Sequence, residues 1–250
     1  INLIVSITTF PNRIKKVWLT IESILRQTER PDKIILWLYS GEFDGKQSLP
    51  SNLLNLEKYG LEIRFCEDNL RPHKKYFYTL IEFPNSCIIT IDDDIIYPNN
   101  FIEKYLINHI IYPKAILCLR GRKIEISQQL VQPYKRWSHV RNNSKPRFNI
   151  IPIGVGSVFY PPNSLHPDVL DIEEIKATSI NVDDLWLKVM SLKKQTRVVS
   201  LAGEYSREFI PILNKNDKKL MDSNLGEGNN DLIFEKLIKK YKISFDRFEP

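Results

Sequence analysis

Two hydrophobic rhythms take turns along the first half of the chain. Leu3 to Thr8 is a short apolar run that reads as a strand. After the Pro11-Asn12 break, Ile14, Val17, Trp18, Ile21, Ile24 and Leu25 recur at helical spacing, predicting a helix whose apolar stripe of six residues is core. Lys33 to Tyr39 and Leu61 to Phe65 predict the second and third strands, Tyr76 to Phe83 a helix, and Cys87 to Ile91 a fourth strand. Phe101, Ile102, Tyr105, Leu106 and Ile110 mark another helix, stopped before Pro113, and Ala115 to Leu119 a further strand. This βα alternation predicts an α/β layer structure with a mostly parallel sheet.

Past residue 120 the pattern loosens. Gln128 to Pro152 is polar and dotted with proline, and reads as a surface loop or as a segment that carries function. Ile153 to Tyr160 resumes a strand, with Gly154 and Gly156 marking a bulge or a close approach of backbone or ligand. Val182 to Leu192 predicts a helix with Val182, Leu185, Trp186, Val189 and Leu192 on its apolar face, and Thr196 to Ala202 a last strand. Leu232 to Tyr241 closes the pattern as a basic amphipathic helix. No repeat, low-complexity tract or linker divides the 250 residues, so residues 1–250 read as one domain with a less regular second half.

Composition narrows the class. A hydrophobic fraction of 42% supplies a globular core, and no apolar run is long enough to cross a bilayer. Ile1 to Phe10 lacks the basic start and cleavage site of a signal peptide. Cys66, Cys87 and Cys118 have no metal-type spacing and read as buried thiols of a reducing cytoplasm. The net charge of +6 invites nucleic acid, an anionic membrane face or a phosphorylated ligand. The basic clusters Arg71-Pro72-His73-Lys74-Lys75, Arg120-Gly121-Arg122-Lys123 and Lys239-Lys240 match no nucleic-acid motif, so no nucleic-acid partner is expected.

The chemistry concentrates in two acidic clusters. Asp92-Asp93-Asp94 directly follows the fourth strand, and in extended chain Asp92 and Asp94 would share one face with Asp93 on the other. Three adjacent carboxylates repel one another unless a cation joins them. Mg²⁺ or Mn²⁺ commonly uses one or two carboxylates while holding phosphates, and ligands of open α/β sheets sit beyond the carboxyl ends of strands. A solvated acidic turn closed by Pro98 is the plainer alternative. Asp183-Asp184 opens a helix, where the dipole favours acidic residues without any catalytic purpose and would also keep a carboxylate ionised.

These residues together resemble a GT-A fold glycosyltransferase of the broad bacterial family-two-like group that builds capsules and lipopolysaccharide. Ser6-Ile7-Thr8-Thr9-Phe10-Pro11-Asn12-Arg13 resembles its first strand and turn, Leu19 to Gln27 the following helix, and Pro31 to Leu36 the next strand. Asp92-Asp93-Asp94 falls at its D-x-D motif, and Asp183-Asp184-Leu185-Trp186 at its catalytic acidic pair. The resemblance runs from about Leu3 to Ser200. It implies a GT-A (Rossmann-like) three-layer sandwich, with a nucleotide-binding half at about 1–120 and an acceptor-binding half at about 121–250. It implies transfer of a sugar from a nucleotide-sugar donor, UDP-linked, to a hydroxyl of a surface polysaccharide or lipid-linked glycan. Asp94 would bind Mn²⁺ or Mg²⁺, Asp92 would touch ribose or share the metal, and Asp184 would be the base of an inverting transfer, with Asp183 contacting acceptor or sugar. Thr8, Thr9, Phe10, Arg13, Arg71, Lys74, Lys75, Asp92, Asp93, Gly156 and Ser157 would line the donor pocket, although any one lysine there also reads as a solvated helix start.

The chain departs from the family in two places. Leu38-Tyr39-Ser40 stands where many members have an acidic residue ending the second strand, and none of the four histidines, His73, His109, His139 and His166, follows the acidic pair. Tyr134 and Trp137 read as sugar-stacking or as packing residues, and residues 214–230, with Gly226 and Gly228, as a lid or an exposed loop. The basic C-terminal helix, with Lys236, Lys239, Lys240 and Lys242, suits docking on the inner membrane face and equally a solvated surface. A sugar-nucleotide pyrophosphorylase and a calcium-assisted carbohydrate-binding protein are the alternatives. Against the former, the turn Thr9-Phe10-Pro11-Asn12-Arg13 has no glycine.

Overall fold

The computed structural model describes residues 1–128, 130–205, 209–213 and 229–244. Its first half follows the expected alternation: β1 (Leu3–Thr8), α1 (Val17–Leu25), β2 (Lys33–Tyr39), β3 (Leu61–Cys66), α2 (Lys74–Glu82), β4 (Cys87–Ile91), α3 (Phe101–Ile111) and β5 (Ile116–Cys118). β6 (Ser157–Tyr160), α4 (Asp183–Lys193), β7 (Val198–Ser200) and α5 (Asn229–Tyr241) complete the frame. The seven strands form one sheet in the order β7-β5-β6-β4-β1-β2-β3. Every neighbouring pair is parallel except those made by β6, which runs antiparallel to both β4 and β5. β6 is reached through irregular chain and not through a crossover helix, so a parallel course is not imposed on it.

Strand alternation divides the side chains between two faces. Leu3, Val5 and Ile7 of β1 join Ile34, Leu36 and Leu38 of β2 beneath Val17, Ile21 and Ile24 of α1 and Phe101, Ile102 and Tyr105 of α3. Ile4, Ile35 and Trp37 point the other way. There α2 is anchored to the sheet by Thr79, whose hydroxyl meets Ser6 Oγ at 2.7 Å and accepts from Trp37 Nε1 at 2.8 Å. Lys75 lies one helical turn earlier on the same face of α2, over the carboxyl ends of β1 and β4. A second core gathers Ile116, Cys118, Val158 and Tyr160 with Leu185, Trp186 and Val189 of α4 and Phe234 and Leu237 of α5. The result is three layers, helix, sheet and helix, as expected.

The differences from the sequence expectation are local. Trp18 and Leu25 are only half-buried, at the edge of the stripe that Ile14, Val17, Ile21 and Ile24 bury. The strand expected from Ile153 begins only at Ser157, because Gly156 adopts φ +111°, a conformation that a side chain resists, and breaks the extended run. The segment expected to be irregular contains a small antiparallel sheet in which Gly121–Lys123 is flanked by Ser138–His139 and Ile150–Pro152. Strands of two or three residues are too short to print an alternating signature. All three cysteines are buried free thiols. No helix among the described residues is long and apolar enough to cross a membrane. Residues 214–228, with Gly226 and Gly228, lie outside the described residues.

One buried charge stands out in this packing. Lys188 of α4 is 1% exposed, and its amine has no hydrogen-bond partner among the described residues. Burial, partly opposed by Cys118, lowers the ammonium from 10.5 to about 7. The unfolded chain holds this proton up to about pH 10.5 and the folded chain releases it near 7, so parent stability rises with pH across that window. Lys188→Met is expected to stabilise the fold at pH 7 by on the order of 2–4 kcal/mol and to flatten the rise in stability between pH 7 and 9, as read by urea unfolding at each pH.

Candidate active site

β4 ends at Ile91 and the chain turns, so the three aspartates do not keep strand alternation. Asp93 and Asp94 share one guanidinium: Arg13 Nη1 lies 2.6 Å from Asp93 Oδ1 and 2.9 Å from Asp94 Oδ2. Asp93 is buried and also accepts from Thr9 Oγ1. Its burial raises the carboxyl despite the opposing Arg13 charge. Asp92 turns elsewhere, with Oδ1 3.3 Å from Lys75 Nζ and Oδ2 accepting from the Gly156 amide at 3.2 Å. Tyr97 fixes this corner, since its hydroxyl accepts from the Asp92 amide at 3.0 Å and donates to the Gly156 carbonyl.

Lys75 joins the two acidic clusters. Its ammonium, buried on α2, also lies 3.2 Å from Asp183 Oδ2 in the first turn of α4. Burial alone would lower it, but Asp183, Asp92 and Asp184 outweigh burial and hold it above the usual lysine value. Burial would likewise raise Asp183, but the charge of Lys75 prevails and keeps this carboxyl below its usual range. Asp184 receives the opposite treatment: burial and the neighbouring Asp183 charge push it up to about 8. The expectation that the helix dipole keeps a carboxylate ionised therefore suits Asp183 and not Asp184, because there burial and a like charge exceed the dipole. Asp184 Oδ1 accepts from the Gly154 amide at 2.9 Å. A Cβ at Gly154 would sit 2.7 Å from that oxygen, so only glycine permits the approach.

The remaining residues expected in the donor pocket divide into two groups. Thr8 Oγ1 donates to the Trp37 carbonyl at 2.9 Å, and the Phe10 ring lies 5.4 Å beneath the Arg13 guanidinium; both flank the Arg13 corner. Arg71 is exposed and donates to Asn181, two residues before Asp183. Lys74 is buried and makes its contacts outside the two acidic clusters, 3.3 Å from Asn69 Oδ1 and 4.0 Å from Glu42 Oε2, although the charge of Asp93 still reaches it. Neither Lys74 nor Lys75 is thus a solvated helix start. Ser157 faces the core, its hydroxyl 2.8 Å from the Tyr105 hydroxyl, and stands apart from the carboxylates. Trp137 is a packing residue, buried against Tyr134 and Phe234.

Three contributors went unread in the sequence. Glu42, just past β2, supplies an acidic group near where the family pattern places one, and it holds Asn69 Nδ2 at 3.1 Å. Its signal was an acid displaced by three residues through the turn Ser40–Glu42. Tyr97 read only as part of a turn. Residues 209–213 cover the aspartate turn, with Ile210 paired to Ile96 and the Ile212 amide donating to the Asp94 carbonyl at 2.7 Å.

A metal has sparse provision here. No three His, Cys, Asp or Glu side chains among the described residues gather as a cage. The side chain of Asp94 is 32% exposed at the mouth of the site and fits a Mg²⁺ or Mn²⁺ ion that brings substrate phosphates and water as its other ligands. Asp92, expected to share such an ion, fits less well, because its two oxygens face Lys75 and the Gly156 amide. A hollow of about 790 Å³ at the opposite ends of the parallel strands, lined by Asn2, Asn85, His109, Lys114 and Thr196 among others, contains none of these acidic groups.

Removing Lys75 would leave Asp92, Asp183 and Asp184 facing one another. Lys75→Met is expected to lose about 3–5 kcal/mol of unfolding free energy at pH 7. Without the cation the folded carboxyls titrate above their unfolded values, so the deficit shrinks as pH falls toward 5, which urea unfolding across pH would record.

No family model matches the chain, and no curated protein resembles it in sequence. Its structure is similar to S. aureus TarS 1–349 in complex with UDP, with a TM-score of 0.51 at 10% identity over 98% of this chain and 72% of that one. The same protein in complex with UDP-GlcNAc gives a TM-score of 0.52 at 13% identity over 98% and 74%. A longer TarS structure gives 0.52 at 10% identity, with 96% of this chain spanning 43% of that one. Identities this low speak to the fold alone: a GT-A-like, Rossmann-like α/β arrangement around a mostly parallel seven-stranded sheet.

Proposed function

We propose that the chain is a glycosyltransferase that takes a sugar from a nucleotide-sugar donor and passes it to a hydroxyl of a glycan. The observation that carries this reading is the meeting of the two acidic clusters at Lys75, because transfer needs a group that neutralises the departing nucleotide within reach of a group that accepts the acceptor's proton. That the similar fold of TarS is solved with UDP and with UDP-GlcNAc supports a UDP-linked donor.

In this reading the nucleotide enters at the carboxyl ends of β1 and β4, beside Thr8, Thr9, Phe10 and Arg13. Lys75 and Arg13, each already charge-paired, offer positive charge to the diphosphate and steady the aspartates around it. A divalent ion at Asp94, when bound, supplies Lewis-acid neutralisation of the phosphoryl oxygens. Asp183 stays ionised against Lys75 and orients that ammonium. Asp184, held near pH 8 and aimed by the Gly154 amide, takes the proton of the incoming hydroxyl. A base poised there is well matched to transfer at neutral to mildly alkaline pH, and direct attack on the anomeric carbon gives inversion. Assembly of a surface polysaccharide or lipid-linked glycan is the process proposed for the product.

The base must be unprotonated to act, so kcat/KM is expected to rise with pH along a limb centred near 8. Asp184→Asn should lower transfer by about 10²–10⁴-fold and leave UDP binding within a few fold. Asp94→Asn should weaken donor binding and abolish any response to Mn²⁺. Transfer assays with a panel of UDP-sugars, with and without the ion, check both, and full activity in both variants would end the proposal.

A further inference from the structure

Residues 115–152 carry eight lysines and arginines against a single acidic residue, Glu125, a surplus larger than the +6 of the whole chain. The small sheet gathers several of these charges. Arg122 and His139 are cross-strand partners, with Arg122 Nη2 3.2 Å from His139 Nε2. Partial burial and the charges of Arg122, Arg141 and Arg120 hold the His139 imidazole below its ordinary value. Arg120, Lys123, Lys135, Arg136 and Arg141 are exposed. Lys123 pairs with Glu125 at 3.4 Å, while Arg120, Arg122, Arg136 and Arg141 meet no carboxylate among the described residues. Like charges collected without counterions raise the local potential and draw anions to that face.

The patch begins where the acidic pair ends. The Arg120 carbonyl accepts from the Ile153 amide at 2.9 Å, and the next amide, that of Gly154, holds Asp184. The Arg122 guanidinium covers the Tyr134 ring at 4.9 Å, and Tyr134 in turn feels the charge of Asp184. The nucleotide end of the site, at Arg13 and Asp94, lies beyond Gly156 and Asp92. Arginine forks suit discrete oxyanions, which they grip in bidentate fashion. Single-stranded nucleic acid would need exposed rings to stack on, yet Trp137 is buried and Tyr134 is covered.

We propose that this arginine surface binds an anionic acceptor, a glycan bearing phosphate or carboxylate groups, and leads its hydroxyl toward Asp184. The proposal rests on the transferase reading. It names the acceptor's charge, which that reading leaves open.

The test is anisotropy titration of the whole chain at two salt concentrations. The labelled probes are a phosphodiester-linked sugar oligomer, an oligogalacturonate, a neutral malto-oligosaccharide of equal length and an RNA oligomer, with phosphatidylglycerol vesicles as a further arm. The parent is compared with Arg120→Ala/Arg141→Ala, both exposed positions, after thermal unfolding confirms the variant's fold, and the UDP-induced thermal shift is measured alongside. At least one anionic oligomer should bind about tenfold tighter than the neutral one, weaken with salt, and lose on the order of tenfold affinity in the variant while the UDP shift is kept. Whichever anionic oligomer binds tighter identifies phosphate or carboxylate. Equal binding of the neutral chain, anionic binding untouched by the variant, or RNA or vesicles held more tightly than either oligomer would overturn the proposal. A parent that binds the anionic oligomer but shows no UDP shift would instead fault the transferase reading, and the acceptor role with it.

Discussion

The buried ammonium of Lys75 is the constraint on which the site depends. Three carboxylates from two distant stretches of chain approach it, Asp92 after β4 and Asp183 and Asp184 at the start of α4. None of the three is tolerable at that depth alone, and neither is the lysine, because burying an unpaired charge costs several kcal/mol. Together they hold the carboxyl end of the sheet against the helix that follows β6. The position of Lys75 descends from a neutral contact one turn away, where Thr79 is pinned to Ser6 and Trp37.

That one cation also separates two neighbouring carboxyls into different chemical states. Asp183, in contact with it, is held low, and Asp184, turned to the Gly154 amide, is pushed up to about 8. Pairs of titratable groups driven apart in this way are a common physical mark of acid–base sites. Arg13 performs the matching task at the other end, bridging Asp93 and Asp94. The repulsion evident in Asp92-Asp93-Asp94 is therefore relieved in part by the chain's own cations, Arg13 and Lys75, which between them face four carboxylates, and a divalent ion at Asp94 would offset the negative charge that remains.

Much of the frame was legible because its elements are long enough to print a period. β1, β2 and β4 fall at their expected bounds, and the apolar face of α4 is buried as read. The sequence could not show that α4 is buried nearly all round, Lys188 included, because a helix with polar residues reads as one-sided. Both acidic clusters were visible as motifs, but their distance was not. It depends on Lys75, whose neighbour Lys74 is identical in type yet points to Glu42 and Asn69. Adjacent helical residues point about 100° apart, so only the register set by Thr79 decides which lysine enters the site. Ser157 was misplaced for a related reason: the turn at Gly156 shifts the strand start and sends that hydroxyl to Tyr105.

The central claim is that the donor spans from the aspartate turn to Asp184 across Lys75. A crystal structure with a non-transferable UDP-2-fluoro-sugar and Mn²⁺ tests it most directly. The account predicts diphosphate density beside Arg13 and Asp94 and the anomeric carbon facing Asp184. Nucleotide density in the hollow lined by Asn2, Asn85 and Lys114, at the far ends of the strands, would contradict it.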